Sequence, residues 1–62
     1  MKFEEILEGI KALASRQGLY SRLYREIMEN KENDTNWYHC FKNSMESQNF
    51  KDFIDFVLWF EC

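Results

Sequence analysis

The sequence contains no proline and only two glycines in 62 residues. A fold built from strands needs turn residues at short, regular intervals, and this chain has too few of them. The sequence also lacks any apolar run approaching the roughly 18 residues that a membrane-spanning helix requires. These absences argue against a strand-rich fold and against a membrane protein, and they favour helices joined by short polar connections.

Residues that mark a compartment or a metal site are equally scarce. The N-terminal stretch carries Glu4, Glu5 and Glu8 where a signal peptide would need an uncharged apolar run, so we expect a cytoplasmic protein. The two cysteines, Cys40 and Cys62, lack metal-ligand spacing and a secretory context, which predicts free thiols. We expect neither a metal nor a cofactor.

Aromatic side chains are abundant: the chain has six Phe, three Tyr and two Trp. A chain of this length buries only about 60% of the surface that its unfolded form exposes, so a few bulky side chains dominate its core. A large active-site pocket is difficult to place beside such a core. The composition therefore favours a protein that is not an enzyme.

Four segments place their apolar residues on one side at 100° per residue, which is the pattern of amphipathic helices. Separated by the polar stretches SRQG, KENDTN and SQN, they lie near residues 3–14, 18–30, 35–46 and 50–60. The pattern predicts an all-α fold, a compact bundle of three to four short helices in one domain spanning residues 1–62. The first two segments could instead form one helix bent near Gly18, although we favour a break.

Each connection offers residues that begin helices. Ser15 is a candidate N-cap for the second segment, and Asp34 or Thr35 for the third. Asn49, followed three residues later by Asp52, resembles a capping box at the start of the fourth.

The fourth segment has the widest apolar arc, about 200°, and is predicted to be the central helix with more than one neighbour. The core predicted from all four segments consists of Phe3, Ile6, Leu7, Ile10, Leu13, Leu19, Leu23, Ile27, Phe41, Phe50, Phe53, Ile54, Val57 and Leu58.

Trp59 departs from the pattern of its helix, because it falls on the side that Asp52 and Asp55 mark as polar. Exposed aromatic residues rimmed by charge are typical of protein interfaces. This interpretation predicts that Trp59 and Phe56 are partly exposed and become buried in a homodimer or a complex, with Tyr20 and Tyr24 as further partner-binding candidates. In the competing interpretation, the chain is a monomer whose N-terminal helix lies across Trp59.

The alternative function is that of a small nucleic-acid-associated regulator that uses the basic segment 15–31. Basic residues interleaved with aromatic ones can grip a phosphate backbone and stack on bases, and the candidates are Arg16, Arg22 and Arg25. On the helical wheel, however, the arginines lie opposite the tyrosines, and we expect them to pair with Glu26 and Glu29. With a net charge of −3, nucleic acid is the less favoured partner.

No residue pattern predicts catalysis. His39 and Cys40 are adjacent on a helix and point about 100° apart, so they do not form a nucleophile–base pair. The carboxylate pairs occupy polar helix faces, where water would screen them, rather than the shielded cleft that acid–base chemistry needs; these pairs are Asp52 and Asp55, Glu4 and Glu8, and Glu26 and Glu29.

Two stretches, SRQGLYSRLYR at 15–25 and SQNFKDFIDFVLWFEC at 47–62, carry a family resemblance. They resemble a group of very short proteins carried by phages and mobile elements of Gram-positive bacteria, for which no activity is assigned. The resemblance covers about half of the chain, and it implies a genomic setting without a mechanism. The helix patterns, rather than the resemblance, lead us to expect a protein-binding module that acts through an aromatic helix face.

Overall fold

The computed structural model describes all 62 residues and contains four α-helices and no strand. The helices are α1 Phe3–Ala14, α2 Gly18–Glu32, α3 Asn36–Ser47 and α4 Phe53–Glu61. The prediction of an all-α short bundle is confirmed. The predicted break between the first two helices is also confirmed, because a turn at residues 15–17 separates them. Only the start of α4 differs by more than two residues from the predicted boundary.

The helix at the centre of the bundle is α1. It packs against α2, α3 and α4, whereas the backbone of α4 comes close to that of α1 alone. The prediction that α4 is central is therefore wrong. A helix of nine residues is only about 13 Å long, little more than one helix diameter, so α4 can lie across a single neighbour.

The core is a cluster of nine buried side chains: Phe3, Ile6, Ile10, Tyr20, Ile27, Tyr38, Met45, Phe50 and Phe56. Five of them belong to the predicted core, and six other predicted residues are half-buried around the cluster, namely Leu7, Leu13, Leu23, Phe41, Phe53 and Val57. The prediction is wrong for Leu19, Ile54 and Leu58, which are exposed.

These three errors have a geometric cause. In α4 the inward position belongs to Phe56, with Phe53 and Phe60 beside it, and Ile54 and Leu58 project from the opposite side. In α2 the inward position belongs to Tyr20, and the adjacent Leu19 is rotated by about 100° from it.

Thr35 takes part in both the end of α2 and the start of α3. Asp34 ends α2 in the left-handed region, with a φ of 52°, and the Thr35 N–H donates to the Asn30 carbonyl at 3.1 Å. With the Asp34 N–H donating to the Lys31 carbonyl at 3.2 Å, these bonds form a Schellman motif. Thr35 is also the N-cap of α3, since its hydroxyl accepts from the Tyr38 N–H at 3.2 Å. Of the two alternatives predicted as the N-cap of the third helix, Asp34 and Thr35, this confirms Thr35.

The connection between α3 and α4 differs from its prediction. Asn49 has a φ of 56° and closes α3, so it does not begin α4. Asp52 is the N-cap instead: its carboxylate accepts from the Asp55 N–H at 3.0 Å. The Asp55 carboxylate in turn accepts from the Lys51 N–H at 3.1 Å. The predicted box is thus replaced by a similar one three residues later.

The predicted N-cap of α2 is also wrong. The Ser15 hydroxyl donates to the Ala12 carbonyl at 3.0 Å, at the end of α1. Gln17 occupies the N-cap position of α2 without a side-chain hydrogen bond.

Candidate interaction surface

Three large apolar side chains of α4 are exposed: Ile54 and Leu58 on its outer side, and Trp59 on the flank next to Phe56. The exposed fractions are 66% for Ile54, 65% for Leu58 and 45% for Trp59. Ile54 and Leu58 are four residues apart and therefore adjacent on the helix surface. We call these residues, together with the exposed Asp55, the α4 face. Of the five large apolar side chains that the chain exposes, three lie on this shortest helix.

Trp59 is only half covered. Its ring lies 5.7 Å from that of Phe50 and 6.3 Å from that of Phe56, centroid to centroid. The prediction that Trp59 is partly exposed is confirmed, and the competing expectation that α1 hides it is wrong. The same prediction is wrong for Phe56, which is fully buried and therefore supports the surface from beneath.

Stacked rings fix the inner side of α4. The ring of Phe56 stacks on Phe53 at 5.4 Å and on Phe60 at 5.6 Å, and it meets Phe50 edge-on at 5.7 Å. Such contacts add to the area that aromatic side chains bury. The outward residues of α4 are consequently presented from a packed base.

Tyr20 ties the end of α4 to α2. Its hydroxyl donates to the Glu61 carboxylate, and its ring lies 5.6 Å from that of Phe60. Burial, reinforced by the hydrogen bond to Glu61 and by the negative charge of Glu61, raises the pKa of Tyr20 from 10.0 to about 12. Because Tyr20 is fully buried, it is not available to a partner, contrary to our prediction. Tyr24, the other candidate, is half-buried.

The arginines of the basic segment are not paired as expected. All three are exposed, and none lies within salt-bridge distance of a carboxylate, so the expected pairing with Glu26 and Glu29 is wrong. The close side-chain contact of a carboxylate in this part of the chain is instead a hydrogen bond between His39 and Asp34, with 2.5 Å between Nε2 and Oδ1. Arg16, Arg22 and Arg25 thus carry unneutralised positive charge.

The remaining candidate groups do not converge. Cys40 and Cys62 are free, as predicted, and both are exposed. His39, beside Cys40, contacts Asp34 instead. The structure has no pocket, and no three His, Cys, Asp or Glu side chains lie close enough together to hold a metal ion. None of the four helices combines the length and the apolar character needed to span a bilayer.

No protein-family model, no curated protein and no solved structure matches this chain. The α4 face and the unpaired arginines are therefore the features from which a function can be inferred.

Proposed function

We propose that this chain is a small protein-binding module that docks another protein chain through the α4 face. The observation that supports this proposal is the exposure of Ile54, Leu58 and Trp59 on one short helix. Contiguous apolar surface on a small protein tends to mark a contact site. Aromatic residues such as Trp59 are enriched where protein interfaces carry most of their binding energy.

The packing beneath the α4 face favours binding. Asp52 caps the start of α4, Phe56 fills the core below it, and Tyr20 holds its end. A surface that is already ordered loses less conformational entropy on association than a flexible one. We place this binding function in the cytoplasm, and the sequence resemblance suggests a gene carried by a phage or mobile element.

A capture experiment tests the proposal. The tagged chain, its Leu58→Arg variant and an Asn43→Arg control are used as baits in a lysate of the organism that encodes the chain. Because Leu58 and Asn43 are both exposed, both substitutions should leave the fold intact by circular dichroism. We expect proteins that bind the wild type and Asn43→Arg but not Leu58→Arg. Equal recovery with all three baits would contradict a role for the α4 face.

The unpaired arginines favour a second candidate, nucleic-acid binding through segment 15–31. Each phosphate contact releases counterions, so such binding weakens steeply between about 50 mM and about 200 mM salt. Measuring the binding of DNA and RNA oligonucleotides at both salt concentrations distinguishes the two functions. If the chain is a protein-binding module, the wild type will show no appreciable affinity for either oligonucleotide. Arg22→Glu will then have no affinity to reduce.

A further inference from the structure

The charges of the chain are unevenly distributed along the sequence. Residues 9–25 contain Lys11, Arg16, Arg22 and Arg25 and no acidic residue. Residues 52–61 contain Asp52, Asp55 and Glu61 and no basic residue. The second of these segments is α4 together with its N-cap. Its three acids border the α4 face, and two positive groups lie at the start of the helix: Lys51, and the Met1 ammonium group, which donates to the Phe50 carbonyl at 2.8 Å.

A second, smaller apolar site lies within the positive segment. Leu19, in the first turn of α2, is 53% exposed. Arg22 follows it by three residues and is its neighbour on the helix surface, and Arg16 lies in the preceding turn. We call Arg16, Leu19 and Arg22 the α2 patch. It has the same composition as the α4 face, an apolar centre with charges of one sign, but the sign is opposite.

We infer that the occupant of the α4 face is a second copy of this chain, which presents its α2 patch. This inference rests on the proposed function and names the partner. Leu58 and Ile54 of one copy would meet Leu19 of the other, while Asp55 would face the unpaired Arg16 and Arg22. Charge complementarity of this kind selects one partner orientation and speeds association.

The same charges disfavour a contact between two α4 faces. Such a contact would bring Asp52, Asp55 and Glu61 of both copies together, and in each copy only Lys51 and the Met1 ammonium group, at the start of the helix, would oppose this negative charge. Like charges opposed across an interface are strongly unfavourable. The homodimer predicted from the sequence, in which helix four would pair with itself through Trp59 and Phe56, is thereby replaced by a contact between two different surfaces.

The apolar centre of the α2 patch is a single side chain, Leu19, so the association should be weak and dependent on concentration. A stable interface buries about 800 Å² on each partner, which would be a substantial share of the 4541 Å² that this chain exposes in total. Tyr20 joins the start of α2 to the end of α4, so both surfaces are on adjoining elements.

Sedimentation equilibrium of four proteins tests the inference: the wild type, Leu58→Arg, Leu19→Glu and Asn43→Arg. We expect the wild type and Asn43→Arg to associate at concentrations up to about 1 mM, and to do so more weakly as salt rises. Leu58→Arg places a positive charge opposite the α2 patch, and Leu19→Glu places a negative charge opposite Asp55. Each should weaken association at least about tenfold.

Mixing the two defective variants gives the decisive result. Leu58→Arg retains an intact α2 patch and Leu19→Glu an intact α4 face, so their equimolar mixture should associate although neither does alone. A monomeric wild type, or normal association of Leu19→Glu, would overturn the inference. If the wild type is monomeric but the lysate capture still depends on Leu58, the second copy is excluded while the proposed function stands. If that capture is also independent of Leu58, both are excluded.

Discussion

The aromatic ring of Phe53 lies directly on the backbone of Gly9. A Cβ atom built on Gly9 would be 2.4 Å from Cε1 of Phe53, which is closer than two carbon atoms approach without bonding. Gly9 is thus the residue of α1 against which Phe53, the first residue of α4, packs. Its missing side chain lets the two helices meet, and this contact fixes which side of α4 turns inward.

Replacing Gly9 should therefore destabilise the fold. Alanine gains about 1 kcal/mol over glycine in a helix interior, but forcing a methyl group against a packed ring costs about 1 to 3 kcal/mol. We expect Gly9→Ala to lower the free energy of unfolding by up to about 2 kcal/mol and hence to lower Tm. Gly18→Ala is the control, since a Cβ at Gly18 meets nothing within 4 Å. A melting curve of Gly9→Ala above that of the wild type would contradict the packing.

Truncating a side chain should destabilise the fold strongly on the inner side of α4 and very little on its outer side. Phe56 is fully buried and Leu58 is 65% exposed. Phe56→Ala should cost about 3 to 5 kcal/mol, most of the stability available to so small a chain. Leu58→Ala should change the stability by no more than about 0.5 kcal/mol. Urea unfolding followed by circular dichroism measures both, and similar losses for the two variants would place the core on the wrong side of α4.

The Thr35 hydroxyl should stabilise the junction between α2 and α3. It accepts from the Tyr38 N–H and donates to the Asn30 side-chain oxygen at 2.7 Å. Thr35→Ala loses both bonds and should cost about 1 to 2 kcal/mol, whereas Thr35→Ser keeps the hydroxyl and should recover most of the loss. If alanine and serine gave equal stability in thermal unfolding, the hydroxyl would have no capping role.

High pH should weaken the fold through Tyr20. The pKa of Tyr20 is raised from 10.0 to about 12, so between these values the folded state holds a proton that the unfolded state has lost. The free energy of unfolding should then fall as pH rises from about 10 to about 12, by at most about 1.4 kcal/mol per pH unit. Tyr20→Phe should reduce this alkaline loss, and Tyr24→Phe should retain it. Identical pH profiles for the two variants would contradict the raised pKa of Tyr20.

The limits of the first three helices could be predicted from the sequence because their signals are local. In residues 3–14 the apolar positions recur with the period of a helix. The polar run KENDTN contains the residues that end α2 and the residue, Thr35, that begins α3. Such patterns need no knowledge of distant parts of the chain.

The orientation of α4 and the burial of Tyr20 could not be predicted, because both depend on contacts distant in sequence. An apolar arc of about 200° has no unique inward direction, and the choice between Phe56 and Leu58 depends on where Gly9 accepts Phe53. The position of Tyr20 likewise depends on Glu61, which is 41 residues away. A local signal did exist for the α4 face, since Asp55 between Ile54 and Leu58 marks the polar side of the helix.

Site-specific photo-crosslinking in living cells tests the central claim, that the α4 face contacts another protein chain, most directly. A photoreactive phenylalanine analogue replaces Leu58 in one strain and the exposed Asn43 of α3 in another. After irradiation, we expect a crosslinked species of defined mass from position 58 and none from position 43. Mass spectrometry will show whether that species contains a second copy of the chain or another protein. Absence of any crosslink from position 58, or equal crosslinking from both positions, would contradict the claim.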